Sequence, residues 1–308
     1  MRAPAVIVPS LGAPSLAACL EALASQDLPP ARTVVVLSGE SSGMDLPLQV
    51  EAVRSPRRLG FAAAVNAGLA ALGDSGGDVA LLNDDALPAP EWLGVLAAAL
   101  ERHPLAGAVQ GTVRDAGGAR VDGRGIAFDR WGLPVQVDRG LPALPEPPGP
   151  RPVVAVSGTA CLLRGEAVRA VTLAGGGVLD PAFGSYHEDL DLGLRLLRVG
   201  WRSLWVPGAP VRHEGSATGR GLPWRHPWWI LANRWRALSG NLGAWALVRG
   251  LPRLLRGEVR AVRTLARENP RARVTAAAAW AAVPWLVVRG LLRRTPGPRL
   301  RGVPWGTA

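Results

Sequence analysis

The sequence predicts an α/β protein: a mixed, mainly parallel sheet flanked by helices, followed by a helical extension rich in Arg and Trp. Three observations carry this. Short apolar, β-branched runs alternate with stretches whose apolar residues recur at helical spacing, the rhythm of βαβ units. The 308 residues are 48% hydrophobic and 19% charged, enough apolar side chain for a large core and too little charge for a disordered chain. Finally, the net charge of +11 belongs to one end: residues 222–308 hold 16 Arg against Glu258 and Glu268, whereas residues 1–221 hold 19 basic and 22 acidic side chains. A domain over 1–221 and a basic extension over 222–308 are therefore expected.

Taken in order, Ala5 to Pro9 is a short apolar strand, Leu16, Cys19, Leu20 and Leu23 recur as one helix face, and Thr33 to Leu37 is a second strand. This βαβ opening favours parallel pairing. A strand near Leu48 to Val53, a helix near Phe61 to Leu72, the strand Val79 to Leu82 and a helix from about Pro90 to Glu101 continue the rhythm, with proline suited to a first helical turn. Residues 114–150 are rich in Gly and Pro and read as loops and short strands, ending in a linker-like Pro142 to Pro152. Val153 to Val156 reads as a strand reaching Ser157-Gly158. Leu190, Leu194 and Leu197 then mark a helix closed by Gly200, followed by a strand over Trp201 to Pro207 and a short polar stretch from Val211 to Ser216.

Cys19 and Cys161 make neither a disulfide framework nor a zinc cluster. The apolar run at the N-terminus is too short for a signal peptide, so a cytoplasmic location is expected.

The chemistry gathers at strand ends. Leu81-Leu82-Asn83-Asp84-Asp85 closes a buried strand with adjacent carboxylates, which repel each other unless a cation or a donor offsets the charge. Taken alone, the pair reads first as a solvated turn before Pro88 and Pro90, and it is the surrounding sequence that favours a cation site. Ser38-Gly39 also falls at a strand end, where ligands bind in open α/β sheets. Gly158 permits close approach of a ligand, although a tight turn explains it equally well. A second acidic cluster, Glu188-Asp189-Leu190-Asp191, opens a helix; capping accounts for acids there, yet three in four residues exceed what capping needs. His213, beyond a strand, can offer an imidazole to a metal.

The ordered set Val6-Ile7-Val8-Pro9, Leu59-Gly60-Phe61 with Asn66 and Gly68, Leu81-Leu82-Asn83-x-Asp85, Ser157-Gly158, Glu188-Asp189-x-Asp191 with Arg195, and His213 resembles the family 2 glycosyltransferases, of the rhamnosyl- and galactofuranosyltransferase-like kind. The resemblance covers roughly residues 4–220. It implies a GT-A fold with a nucleotide-sugar half near 1–113 and an acceptor half near 150–221. It also implies a nucleotide-diphosphate sugar donor, a divalent metal (Mg²⁺ or Mn²⁺), a glycan or polyprenyl-linked acceptor, and an inverting transfer of the kind used in building cell-wall or surface polysaccharides. On this resemblance Asp85 and His213 are metal ligands and Asp189 the general base, with Glu188 beside it toward the acceptor. Donor contacts are expected at Pro9, Ser38, Gly39, Gly60, Asn66, Asn83, Asp84 and Gly158.

The chain departs from the family pattern in places. Leu37 stands where an acid usually meets the nucleoside, and Asn83 replaces the first acid of the metal motif. The Gln-x-x-Arg-Trp motif of processive synthases is absent, which favours a single addition. Two other classes compete. A sugar-1-phosphate nucleotidyltransferase would need a basic Gly-rich loop after the first strand, which Ser10-Leu11-Gly12-Ala13-Pro14 lacks; a non-catalytic nucleotide- or saccharide-binding relative fits Leu37 but not the Glu188-Asp189 pair.

The extension mixes arginines with Trp224, Trp228, Trp229, Trp235, Trp245, Trp280, Trp285 and Trp305. That combination suits an anionic membrane surface at the inner face of the cell membrane; packing of the tryptophans on the domain explains it equally. The uncharged run Val274 to Val288, interrupted by Pro284, falls short of the roughly 20 residues needed to span a bilayer. Nucleic acid is disfavoured: no recognised module appears, and arginine without any lysine reads as a coding bias.

Overall fold

A computed structural model of the chain describes residues 2–73, 76–215, 225–268, 272–293 and 295–302. Ser216, Trp224 and Trp305, named above, lie outside the described residues. The strands are β1 (Ala5–Ser10), β2 (Arg32–Ser38), β3 (Glu51–Ser55), β4 (Val79–Leu82), β5 (Ala86–Pro88), β6 (Ala106–Gln110), β7 (Val113–Arg114), β8 (Val121–Gly123), β9 (Ile126–Phe128), β10 (Pro134–Gln136), β11 (Arg151–Val153), β12 (Ala160–Leu163), β13 (Arg202–Trp205) and β14 (Val211–His213). The helices are α1 (Leu16–Ala24), α2 (Phe61–Leu72), α3 (Trp92–Arg102), α4 (Gly165–Val171), α5 (Glu188–Arg198), α6 (Arg225–Asn241), α7 (Ala244–Glu268) and α8 (Ala272–Leu292).

An eight-stranded sheet runs β11-β13-β6-β12-β4-β1-β2-β3. Its β4-β1-β2-β3 half is parallel, whereas β12 runs antiparallel to both β4 and β6. Because successive side chains point to opposite faces, Val6, Val8, Val35 and Leu37 pack with α1 and α3, while Ile7, Val34 and Val36 pack with α2. Helix α5 is shared between two layers: Leu192 and Leu196 join the sheet-side core, and Leu190 and Leu194 meet Trp235 and Leu238 of α6. A smaller sheet, β5-β14-β7-β8, sits at the end of β4, and β9 and β10 form a two-stranded hairpin.

The expected strand at Val153 to Val156 is corrected. β11 stops at Val153, Ala155 makes one isolated bridge to Ile126, and the central strand is instead β12, Ala160–Leu163. The apolar runs on either side of Ser157-Gly158 are alike in composition, so the sequence alone did not separate the one that pairs from the one that does not. Likewise, the strand expected from Leu48 begins at Glu51.

The length expected for the last apolar segment is also corrected. Helix α8 continues past Arg289, and its window Arg273–Leu292, 20 residues of mean hydropathy 1.5, is long and apolar enough to cross a membrane by length and composition. Counting only the uncharged run underestimated it, because arginines are tolerated at the ends of such helices.

Candidate active site

Residues Asn83 to Asp85 form a turn between β4 and β5, closed by the Ala86 N–H donating to the Asn83 carbonyl at 3.1 Å. The two acids then take different partners. Asp84 accepts a 2.6 Å hydrogen bond from Ser10 Oγ at the end of β1. Burial nevertheless pushes its carboxyl above the ordinary range, with the Asp85 charge adding to the effect against the relief from Ser10.

Asp85, buried, lies with its Oδ1 3.2 Å from Nε2 of His213. Antiparallel pairing of β14 with β5 sets His213 opposite Ala86 and so fixes this approach. On the other side of the ring, Nδ1 lies 3.1 Å from Asp122 Oδ2 on β8, and Asp122 in turn meets Arg139 at 3.1 Å. Burial alone would lower the His213 pKa, but its hydrogen bonds and charge pairing with Asp122 and Asp85 outweigh that and raise it to about 9. The same histidine holds Asp122 below the usual carboxylate range. Asp122 was not found from sequence: it sits in the Gly/Pro-rich segment, and only the pairing of β8 through β7 to β14 brings it to the ring.

These residues fit a divalent cation. Asp85 Oδ1 and the buried His213 Nε2 face each other at 3.2 Å, so a carboxylate oxygen and an imidazole nitrogen are presented side by side to a shared ion. An imidazole whose other nitrogen is held by a carboxylate is the usual form of a metal-bound histidine. Among the described residues no group of three or more His, Cys, Asp or Glu could close a metal sphere. With Asp85 and His213 as protein ligands, the remaining positions would fall to phosphate oxygens and water, as is common for hard cations.

The second acidic cluster is built on strain. Tyr186 and His187 have φ of +70° and +69°, and Gly184, just before them, +66°. Left-handed non-glycine residues cost on the order of 1–3 kcal/mol each and persist only where neighbours over-determine them. Asn233, fully buried on α6, does so: its Nδ2 donates to the carbonyls of Phe183 (2.8 Å), Ser185 (3.0 Å) and Tyr186 (3.0 Å). The loop then turns into α5 with Glu188 and Asp189 in its first turn.

Asp189 is half-buried, and its carboxylate accepts from the N–H groups of Leu190 (2.8 Å) and Gly158 (3.4 Å). Burial raises its pKa above the ordinary value, and those two donors oppose the rise. Glu188 is raised well above the usual range, first by burial and then by the Asp189 charge, and its Oε2 has no hydrogen-bond partner. Burial and their mutual repulsion thus work against both carboxyls being charged at once. A Cβ at Gly158 would stand 2.9 Å from the Phe61 ring, so a side chain there would have to push the ring aside.

The remaining expected contacts divide. Pro9 lies in β1 beside Ser10, and Ser38 Oγ accepts from the Leu59 N–H at 3.2 Å. Gly39, at φ +73°, opens a 3₁₀ turn. Gly60 begins α2 against the Gly184 carbonyl, which a Cβ would meet at 2.6 Å. Asn66 clamps a loop: its amide accepts from the N–H groups of Val178 and Leu179 and donates to the Leu179 carbonyl.

Asp191 is an anchor. Fully buried, it meets Arg195 at 2.9 Å, Arg293 at 2.7 Å and Asn241 at 2.9 Å, tying α5 to the extension.

A mainly parallel sheet with carboxylates and a histidine at its strand ends, and a buried acid pair opening the facing helix, defines the GT-A class of glycosyltransferases. The sequence matches the family described as Glycosyltransferase like family 2 over residues 2–236, and the chain belongs to that family. The protein is a glycosyltransferase. It is 30% identical over 271 residues to an N-acetylglucosaminyl-diphospho-decaprenol L-rhamnosyltransferase of Mycobacterium tuberculosis, covering 71% of this chain and 84% of that protein. Its fold is also that of two solved structures. The mannosyltransferase PcManGT from Pyrobaculum calidifontis in complex with GDP-Man and Mn²⁺ has a TM-score of 0.54 at 20% identity, over 92% of this chain and 76% of that one. GalNAc-T7 with UDP, GalNAc and Mn²⁺ has a TM-score of 0.55 at 16% identity, over 79% of this chain and 48% of that one.

Proposed function

We propose that this glycosyltransferase is inverting and divalent-metal-dependent, and that it adds a single L-rhamnosyl or chemically similar residue from a nucleotide-diphosphate sugar to a hydroxyl of a polyprenyl-linked glycan. The observation that carries the reading lies in two consecutive residues. The Thr159 carbonyl accepts from the Asn83 N–H at 2.8 Å, and the Gly158 N–H donates to Asp189 at 3.4 Å. One short segment thus joins the donor-side carboxylates to the base.

In this mechanism Asp189, ionised and oriented by Leu190 and Gly158, takes the proton of the acceptor hydroxyl as its oxygen bonds to the anomeric carbon. The bond to the nucleoside diphosphate breaks on the opposite face, so one base suffices and the configuration inverts. Asp85 and His213 would hold the divalent metal, which supplies charge neutralisation on the leaving diphosphate. Asp84, pinned by Ser10, keeps the turn in place. Leu37 is fully buried in the core, so the end of β2 offers backbone at Ser38 and Gly39, without a carboxylate, to the nucleoside. The donor and acceptor classes are supported by the rhamnosyltransferase relative. Its lipid-linked acceptor favours work at the cytoplasmic membrane surface.

The test is transfer itself. A chelator-treated enzyme given nucleotide sugars and a polyprenyl-diphosphate-linked N-acetylglucosamine should regain activity with Mg²⁺ or Mn²⁺, and the product should show inverted configuration by NMR. Full turnover without any divalent ion, or retained configuration, refutes the reading.

A further inference from the structure

Helix α7 presents three faces. Leu247, Leu254, Glu258 and Leu265 are buried against the protein. Val248, Leu251, Leu255 and Val259, spaced at helical intervals, form an apolar row open to solvent. Arg253, Arg256, Arg260, Arg263 and Arg267 form a second exposed row beside it.

Helix α8 adds to this surface. It is apolar almost all round, yet only 22% of its Arg273–Leu292 window is buried, and Trp280, Trp285 and Val288 remain open. A helix with apolar residues on every side belongs in a core or in lipid. Between the two helices runs an apolar groove of about 600 Å³, lined by Leu251, Leu255, Val259, Trp280 and Val283 among others. It adjoins, at Val259, a recess of about 520 Å³ lined by Trp131 and by Arg256, Arg260, Arg263 and Arg267.

Charge complementarity names the occupant. Glu258, the one acid among the described side chains of α7, is buried and already accepts from Arg234, Trp235 Nε1 (2.7 Å) and Trp280 Nε1 (2.9 Å). Among the described residues Arg256, Arg260, Arg263 and Arg267 have no acidic partner, and they face outward next to a continuous apolar strip. An acidic protein would satisfy the first feature only; anionic lipid satisfies both, with phosphate above and acyl chain beneath. Helix α8 lies along the protein instead of standing apart from it: Gly290 packs so closely on α6 that a Cβ would overlap Ser239.

We propose that the α7–α8 face docks on an anionic lipid bilayer. The row Val248 to Val259 with Trp280 and Trp285 lies at the headgroup–acyl boundary, and Arg256, Arg260, Arg263 and Arg267 lie at phosphate level. The proposal rests on the reading of a lipid-linked acceptor and deepens it. Trp235, in the groove wall, and Asn233, which holds the loop before Glu188 and Asp189, both stand on α6, so one helix carries the docking groove and the support of the catalytic loop.

Flotation of the full chain with phosphatidylcholine vesicles, with and without phosphatidylglycerol, tests it. Wild-type protein should float only with the anionic vesicles and be released by high salt. Replacing Arg256, Arg260, Arg263 and Arg267 by Gln should lower partitioning by several hundred-fold, at roughly 1 kcal/mol for each arginine near an anionic surface. Replacing the exposed Arg102, Arg151, Arg169 and Arg202 by Gln removes the same net charge and should leave partitioning within a few-fold. Substitution of Leu251 and Leu255 by Ser, both exposed, should weaken it without unfolding the protein. Equal losses from the two arginine quartets, retention in high salt, or flotation with neither vesicle each overturn the proposal, the last leaving an acidic protein as the occupant. Nucleotide release measured on the same preparation separates the two readings: a chain that turns over donor but ignores vesicles loses the docking surface and keeps the reaction.

Discussion

Replacing Asp191 by Asn removes a buried charge at nearly constant volume, so the loss reports electrostatics without a cavity. Asp191 and Arg195 are both fully buried, and Arg293 is largely so. Breaking a buried pair typically costs about 3–5 kcal/mol, because the partner is left charged and unpaired. Two features set the expectation at the lower end. Arg195 keeps its 2.6 Å bonds to the Val171 and Val178 carbonyls, and Arg293 retains Asp180 at 3.2 Å. A loss of about 3 kcal/mol is therefore expected, or roughly 6–12 °C in Tm at about 2–4 °C per kcal/mol.

The pH dependence has a definite sign. Burial alone would raise the Asp191 pKa, but the Arg195 and Arg293 charges outweigh it and hold the group below its ordinary value. Its stabilisation is thus complete above the ordinary carboxylate range and fades as pH falls through the lowered folded-state pKa. Urea unfolding at neutral pH and again near pH 3 measures both effects. A loss under about 1 kcal/mol at neutral pH, the size of a surface pair, refutes the reasoning.

Burial raises the Glu188 pKa, and Glu188→Gln copies its neutral form, so kcat should stay within about tenfold of wild type; a loss as large as that of an Asp189 variant would show that Glu188 works ionised. Because the Asp189 pKa is raised and the base acts ionised, the acid limb of kcat/KM should lie above the pH at which an ordinary aspartate titrates, and a limb at or below that value contradicts the burial argument. Asp122→Asn should weaken divalent-ion affinity about 10–100-fold, read as the metal concentration for half-maximal rate, with little change at saturating metal. Asn233→Ala removes the side-chain donor that ties the Phe183, Ser185 and Tyr186 carbonyls to α6 and should lower kcat at least tenfold while the far-UV circular dichroism stays unchanged; an unaltered kcat would mean the strained loop holds itself.

Local periodicity made the first half of the fold legible. Phe61–Leu72 and Val79–Leu82 have the bounds that their apolar spacing predicts, since each element obeys a single pattern throughout its length. β12 escaped because it follows directly on the Ser157-Gly158 turn, and the apolar run Val153 to Val156 before that turn was read as the strand in its place. The strand-end acids were visible as a cluster, but their division was not: Asp84 turns to Ser10 and Asp85 to His213 because of sheet geometry. Asp122 and Asn233 were silent for the same reason, each reaching its partners across long sequence separations. Nothing set Asp191 apart within the acidic cluster, since its decisive partner Arg293 lies 102 residues away.

The central claim is that Asp189 takes the acceptor proton at a site joined to the donor-side carboxylates. Acceptor-dependent nucleotide release by wild type and Asp189→Asn, with matched unfolding midpoints, tests it most directly. The asparagine retains the volume and one oxygen to meet the Leu190 N–H but cannot accept the proton, so the rate should fall by about 10²–10⁴-fold with donor KM little changed. Release within tenfold of wild type, at equal stability, would contradict the account.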